Sequence, residues 1–151
     1  MPEAPAGYRL AQAGEGDLDA AHALVPGTAR AVLDLCRAGG TLWIAREADG
    51  ALVGLLAAGD LDGAFHIHAL AIAPAHRRRG LASALVARAI DRARWALMPA
   101  ATLVCERDDA GALALAARTG FVALDESRLG GGLAAALARD PGRLVAMGKR
   151  V

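Results

Sequence analysis

The chain has 151 residues, 55% hydrophobic and 22% charged, and its 17 basic and 16 acidic residues leave a net charge of +1. That balance excludes a whole-protein field for nucleic acid or an anionic membrane. With 39 alanines, 22 leucines and 3% aromatics, one aliphatic-cored domain over residues 1–151 is expected.

Residues 1–7, rich in Pro and Ala, read as a loose N-terminus, and Tyr8-Arg9-Leu10-Ala11 as a first strand. Asp17 is the expected N-cap of a helix carrying Leu18, Ala21, Leu24 and Val25. Pro26-Gly27 stops it, Thr28 is expected to cap a second helix, and Gly39-Gly40 closes that one. Two apolar runs, 41–48 and 51–58, flank Asp49-Gly50, the signature of a tight hairpin in which both turn residues take positive φ. Asp60 and Asp62 read as residues of a further turn ending at Gly63. The strand that follows, Phe65 to Ile72, puts His66, His68, Leu70 and Ile72 on one face.

The longest helix is predicted from about Gly80 to Met98, with Leu81, Leu85, Ala89, Ala93 and Leu97 recurring every fourth residue. A strand over 101–105, a helix over 110–119 capped by Asp108 or Asp109, Gly120 as its C-terminal glycine and a strand over 121–124 come next. A short helix at 133–139, an Asp140-Pro141-Gly142 turn and a last strand over 144–150 complete the chain. A strand–helix–strand over 65–105 makes its two strands parallel neighbours, within a mixed sheet with helices on both faces.

No apolar run reaches the roughly 18–20 residues that span a bilayer, and residues 1–20 lack the apolar stretch of a secretory leader. Cys36 and Cys105 show neither metal spacing nor a disulfide framework. A cytoplasmic protein without a metal is expected.

The stretch Ala71-Ile72-Ala73-Pro74-Ala75-His76-Arg77-Arg78-Arg79-Gly80-Leu81-Ala82 carries chemistry. A strand ends, three arginines follow, and a helix begins. The first amides of a helix lack intrahelical partners and carry the positive end of its dipole, so they bind phosphate when no side chain blocks them. Gly80 and Ala82 leave them bare, and Arg77, Arg78 and Arg79 add donors. A solvated arginine run on a loop glycine is the plain structural alternative.

Here the sequence resembles the GCN5-related N-acetyltransferase (GNAT) superfamily. Its acetyl-CoA motif, Gln/Arg-x-x-Gly-x-Gly/Ala, stands as Arg77-Arg78-Arg79-Gly80-Leu81-Ala82, after a strand similar to the family's His-Ile-x-x-Leu-Ala-Val-x-Pro at His66–Pro74. Gly120-Phe121 matches the family's Gly-Phe; Trp43-Ile44-Ala45 and Met147-x-Lys149 are weaker matches. The resemblance implies an α/β (α+β) fold: a mixed, mostly antiparallel central sheet of about seven strands with a splayed parallel pair, of the acyl-CoA N-acyltransferase type. It implies acetyl-CoA as cosubstrate, with pyrophosphate at Arg77, Arg78, Arg79, Gly80, Leu81 and Ala82 and the pantetheine arm against the backbone of Leu70, Ala71 and Ile72. An amine would attack the thioester directly, with a backbone N–H near Leu70 as oxyanion donor.

An alkylammonium, with a pKa near 10, needs a base. His66 and His68, at or near positions where relatives carry an acidic base, are candidates, and Glu106 is the third. Each has a plainer reading, the histidines as buried polar residues satisfied by backbone and Glu106 as a solvated carboxylate. Four residues before Gly120, where many relatives carry a tyrosine acid, stands Ala116, and the family's asparagine is replaced by Asp109 or Ala112. The alanine is expected to leave a gap. The expected acceptor is a small-molecule or peptide amine, with no nucleic acid or membrane as partner and a homodimer left open. The alternatives are a non-catalytic acyl-CoA-binding sensor of the same fold and, on the arginines alone, a small nucleic-acid-binding regulator.

Overall fold

The computed structural model describes residues 4–151. Part of the expected loose N-terminus, residues 1–3, lies outside that range; within it, the Tyr8 amide closes a turn on the Pro5 carbonyl at 3.1 Å. The strands are β1 (Tyr8–Gln12), β2 (Leu42–Glu47), β3 (Leu52–Leu61), β4 (Ala64–Ile72), β5 (Ala100–Glu106), β6 (Val122–Ala123) and β7 (Leu144–Arg150). The helices are α1 (Leu18–Leu24), α2 (Arg30–Ala38), α3 (Leu81–Trp95), α4 (Ala110–Arg118) and α5 (Gly131–Ala138). The strands form one mixed sheet in the order β1-β2-β3-β4-β5-β7-β6, with β4 and β5 parallel and the pairs β1–β2, β2–β3, β5–β7 and β7–β6 antiparallel. The expected sheet is therefore present.

The chain divides into two compact units, one of residues 4–59 with His68–Arg92, the other of Asp60–Ile67 with Ala93–Val151. In the first, Leu18 and Ala21 of α1, Leu33 and Cys36 of α2 and Leu42, Ile44, Leu55 and Ala57 of the sheet make an aliphatic cluster, and Trp43 of β2 is buried as well. The aliphatic core expected from the composition therefore takes in an aromatic ring too. In the second, β4 pairs with β5 at Phe65↔Ala101, His66↔Thr102 and Ile67↔Leu103, and β5 pairs with β7 along its whole length, from Ala100↔Arg150 to Glu106↔Leu144.

Three local expectations change. Asp17 takes the N-cap position of α1 as expected, but its Oδ2 accepts from the Gly14 amide at 2.8 Å and its Oδ1 pairs with Arg46, so its side chain makes no capping bond to the helix. The N-cap of α2 is Ala29 and not Thr28, one residue later than the sequence pattern suggests. The tight hairpin is at Asp62-Gly63, both left-handed at φ 56° and 76°. At Asp49-Gly50 only Gly50 is left-handed, and its amide closes on Glu47 at 2.8 Å. That is the three-residue loop with a bulge, the next commonest hairpin connection.

Candidate functional site

β4 ends at Ile72, a 3₁₀ turn covers Pro74–His76, and α3 starts at Leu81. The loop between is extended at Arg77 but left-handed at Arg78 (φ 63°) and Gly80 (φ 82°). Successive amides in αR–αL or turn conformations can build a concavity suited to an anion; here two left-handed residues precede a fifteen-residue helix. Space is not what demands glycine at 80, because a Cβ there would meet only Pro5 Cγ at 3.8 Å. The backbone conformation demands it.

The three arginines of this loop are exposed, and two of them are tethered. Arg77 Nε donates to the Ile72 carbonyl at 3.1 Å, and Arg79 Nη1 to the Tyr8 hydroxyl at 2.9 Å. The Ala73 amide donates to the Val53 carbonyl at 2.7 Å. Backbone directions alternate along a strand, so Ala71 also aims at β3, and the N–H and C=O groups of Leu70 and Ile72 aim away from it. Leu70, Ala71 and Ile72 are half-buried. Leu81 is buried and Ala82 half-buried, so the first turn of α3 carries no bulky exposed side chain.

The three candidate bases differ sharply. His68, in the same unit as the arginine loop, is exposed, and its ring lies over Gly59, where a Cβ would come within 3.2 Å of Nε2. Partial desolvation by the surrounding protein lowers its pKa below the ordinary imidazole value. His66 belongs to the other unit; it is 6% exposed, and its Nδ1 is 2.8 Å from Thr102 Oγ1. Glu106, also in that unit, ends β5 exposed to solvent with its carboxylate 3.5 Å from Arg143. Asp62 is a turn residue, as expected, whereas Asp60 lies near the end of β3 and its Oδ1 reaches across the turn to accept from the Gly63 amide at 3.2 Å.

An acetyltransferase (GNAT) family model matches residues 15–121, well over half of the chain and including the loop just described. The chain belongs to the GNAT family. Solved structures of low identity share the fold. Ard1 from Thermoplasma volcanium superposes with a TM-score of 0.78 at 19% identity, covering 96% of this chain and 98% of that one. The ribosomal-protein-S18-alanine N-acetyltransferase from Escherichia coli gives 0.73 at 15% identity, covering 95% and 94%. N-acetylglutamate synthase from Neisseria gonorrhoeae, complexed with coenzyme A and N-acetyl-glutamate, gives 0.76 at 22% identity over 95% of this chain. The chain spans 35% of the length of that synthase. GNAT membership supports acyl transfer from acetyl-CoA as the general class of activity. Among the described residues no helix is long and apolar enough to cross a membrane.

The GNAT motifs outside the loop have structural explanations. Gly120 is left-handed at φ 93° beyond α4, and the Phe121 amide returns to the Ala116 carbonyl at 2.8 Å. Lys149 Nζ donates to the Thr119 carbonyl at 2.8 Å, a cation at the negative end of α4. The Gly-Phe and Met-x-Lys matches are thus two sides of one helix terminus. Ala116 does not face the expected gap: it is 1% exposed, so no water-sized space adjoins its methyl group.

The sequence reading missed the surroundings of Arg79. Tyr8, at the start of the first strand, and His76, in the loop after β4, meet there across 68 residues. Periodicity carries no signal for such a contact.

Proposed function

We propose that this GNAT protein transfers an acetyl group from acetyl-CoA to an amine acceptor by direct attack of the amine on the thioester. The observation that carries the reading is the loop into α3, with Arg78 and Gly80 left-handed and arginine side chains on its surface. Residues 77–82 fit a pyrophosphate, through the amides at the helix entry and the guanidinium groups. The outward-facing N–H and C=O groups of Leu70 and the N–H of Ile72 suit the amides of a pantetheine arm, the Ile72 carbonyl already accepting from Arg77 Nε, and the Leu70 N–H is the proposed oxyanion donor.

His68 is the proposed base. It is the candidate held in the unit that also carries residues 70–82, and an imidazole of lowered pKa is neutral, hence able to accept a proton, at pH 7. His66 is buried against Thr102 and Glu106 faces Arg143, which supports structural readings for both. Proton removal follows or accompanies attack, and the CoA thiolate leaves without a tyrosine acid. A thiolate is a tolerable leaving group, so the lost assistance falls at or below the weak end of the 10²–10⁴-fold typical of general acids.

Burial of Ala116 at the tyrosine position favours a second reading, a non-catalytic acyl-CoA-binding module. Calorimetry with CoA, followed by CoA-release assays across small amines, amino acids, aminoglycosides and peptide N-termini, tests both. Release with any amine supports catalysis, tight binding without release supports the module, and no CoA binding refutes both.

A further inference from the structure

The Arg79 guanidinium is held by a chain of groups from two other parts of the fold. A guanidinium can only donate, so the Tyr8 oxygen accepts from Arg79 Nη1 at 2.9 Å. The phenolic proton is then free for His76 Nδ1, 2.8 Å from the same oxygen. In the tautomer with its hydrogen on Nε2, Nδ1 accepts from the phenol and the Nε2–H faces Glu47 Oε2 at 3.5 Å. The Tyr8 and His76 rings meet edge to face, centroids 5.7 Å apart and planes at 88°, which fixes the phenol's direction as well as its place. Glu47 is held in turn at the hairpin, where its amide and carbonyl bond Ala51 and Gly50.

We propose that Tyr8, backed by His76 and Glu47, is a positioning residue for CoA: it orients Arg79 before the ligand arrives. The inference rests on reading residues 77–82 as the pyrophosphate cradle. An arginine on a four-bond stem loses rotamer freedom when it grips a phosphate, and an arginine already tethered loses less on binding. The tether takes one of the five N–H donors of the guanidinium and leaves the other four for an anion.

Calorimetric titration of the full chain with CoA tests this. Tyr8→Phe keeps the ring and removes the hydroxyl; it should weaken CoA about five- to tenfold, the scale of one hydrogen bond. His76→Leu should do the same, and His76→Asn, whose Oδ1 can replace the accepting nitrogen, should recover part of the loss. The deciding arm is the Arg79→Ala background: there Tyr8→Phe should have no further effect on CoA affinity. A Tyr8→Phe loss of equal size with and without Arg79 means Tyr8 only supports the fold and overturns the proposal, as does unchanged affinity in Tyr8→Phe. If the parent chain binds no CoA, the pyrophosphate reading itself falls and takes the proposal with it.

Discussion

The Asp62 carboxylate, at the tip of the β3–β4 hairpin, accepts from the backbone amide of Leu133 at 2.9 Å, seventy-one residues further along the chain. Its other oxygen accepts from the Gly132 amide at 2.8 Å, so one side chain satisfies two of the free donors at the start of α5. The glycines there give it room: a Cβ on Gly132 would stand 2.8 Å from Asp62 Oδ1 and 2.5 Å from Leu61 Cδ1. Asp62→Ala should cost about 1–2 kcal/mol, seen as a drop of roughly 2–8 °C in Tm for a chain of this size. Asp62→Asn keeps one acceptor and tolerates the left-handed backbone, and should lose clearly less. Equal melting of all three proteins would show that the cap contributes nothing.

Gly80 should be intolerant by backbone and not by bulk. At φ 82° a residue with a Cβ is strained by about 1–2 kcal/mol, and asparagine is strained least. CoA affinity should fall in the order Gly, Asn, Ala, Val, with Gly80→Val at least tenfold weaker while still folded by circular dichroism. A folded Gly80→Val protein with unchanged affinity would remove the loop from the CoA site.

His68 carries a pH signature. Its folded pKa lies below 6.5, so as a base it stays unprotonated through neutrality, and the acid limb of the rate profile should lie below pH 6.5. His68→Gln should remove that limb and slow the reaction most well below the amine's own pKa. The same shift affects stability. Between the folded value and 6.5 the unfolded chain binds the extra proton, so stability is full above 6.5 and declines as pH falls through that window. An unchanged rate profile in His68→Gln would assign the base elsewhere, and the same test on His66→Ala and Glu106→Ala would then locate it.

Ala116→Tyr should destabilise the protein and not simply restore an acid. The methyl group is 1% exposed on α4, and forcing a ring into a packed position costs about 1–3 kcal/mol. Melting of the variant measures it. A Tm equal to the parent's would mean that the ring finds room, and acetyl transfer should then rise modestly.

Cys105 should be a slow nucleophile. Partial burial, and then the Asp109 carboxylate, raise its pKa above 9.0, so the thiolate is scarce at pH 7. Alkylation by iodoacetamide should rise steeply on the alkaline side, and Asp109→Asn should speed it at fixed pH. A rate as fast as free cysteine at pH 7 would contradict the assigned environment.

Local chemistry was largely legible in the chain. Gly39-Gly40, Gly120 and the Asp140-Pro141-Gly142 turn lie where their backbone preferences put them, and the Arg77–Ala82 motif opens a helix. Where two sequences look alike, tertiary structure decided. Asp49-Gly50 and Asp62-Gly63 are the same dipeptide, but the β2–β3 register shifts between Ala45 and Arg46, with Val53 of β3 as the extra residue, and the first hairpin takes the longer loop. Alternation along β4 put His66 and His68 on one face, yet Thr102 from β5 covers one ring while the other stays exposed. Contacts spanning about seventy residues, Tyr8 with His76 and Asp62 with Leu133, leave no trace in local pattern.

Lys149 is the sole lysine among the chain's 17 basic residues, and its ammonium is tied to the carbonyl end of α4. Arginine supplies every other positive side chain, and a guanidinium does not take up acyl groups as an amine does. A mass spectrometer looking for acylated lysine on this chain therefore has one address to search. Amine-directed crosslinkers and surface couplings face the same economy: apart from the α-amino group, they can attach only at β7, where modification would strip α4 of its terminal charge.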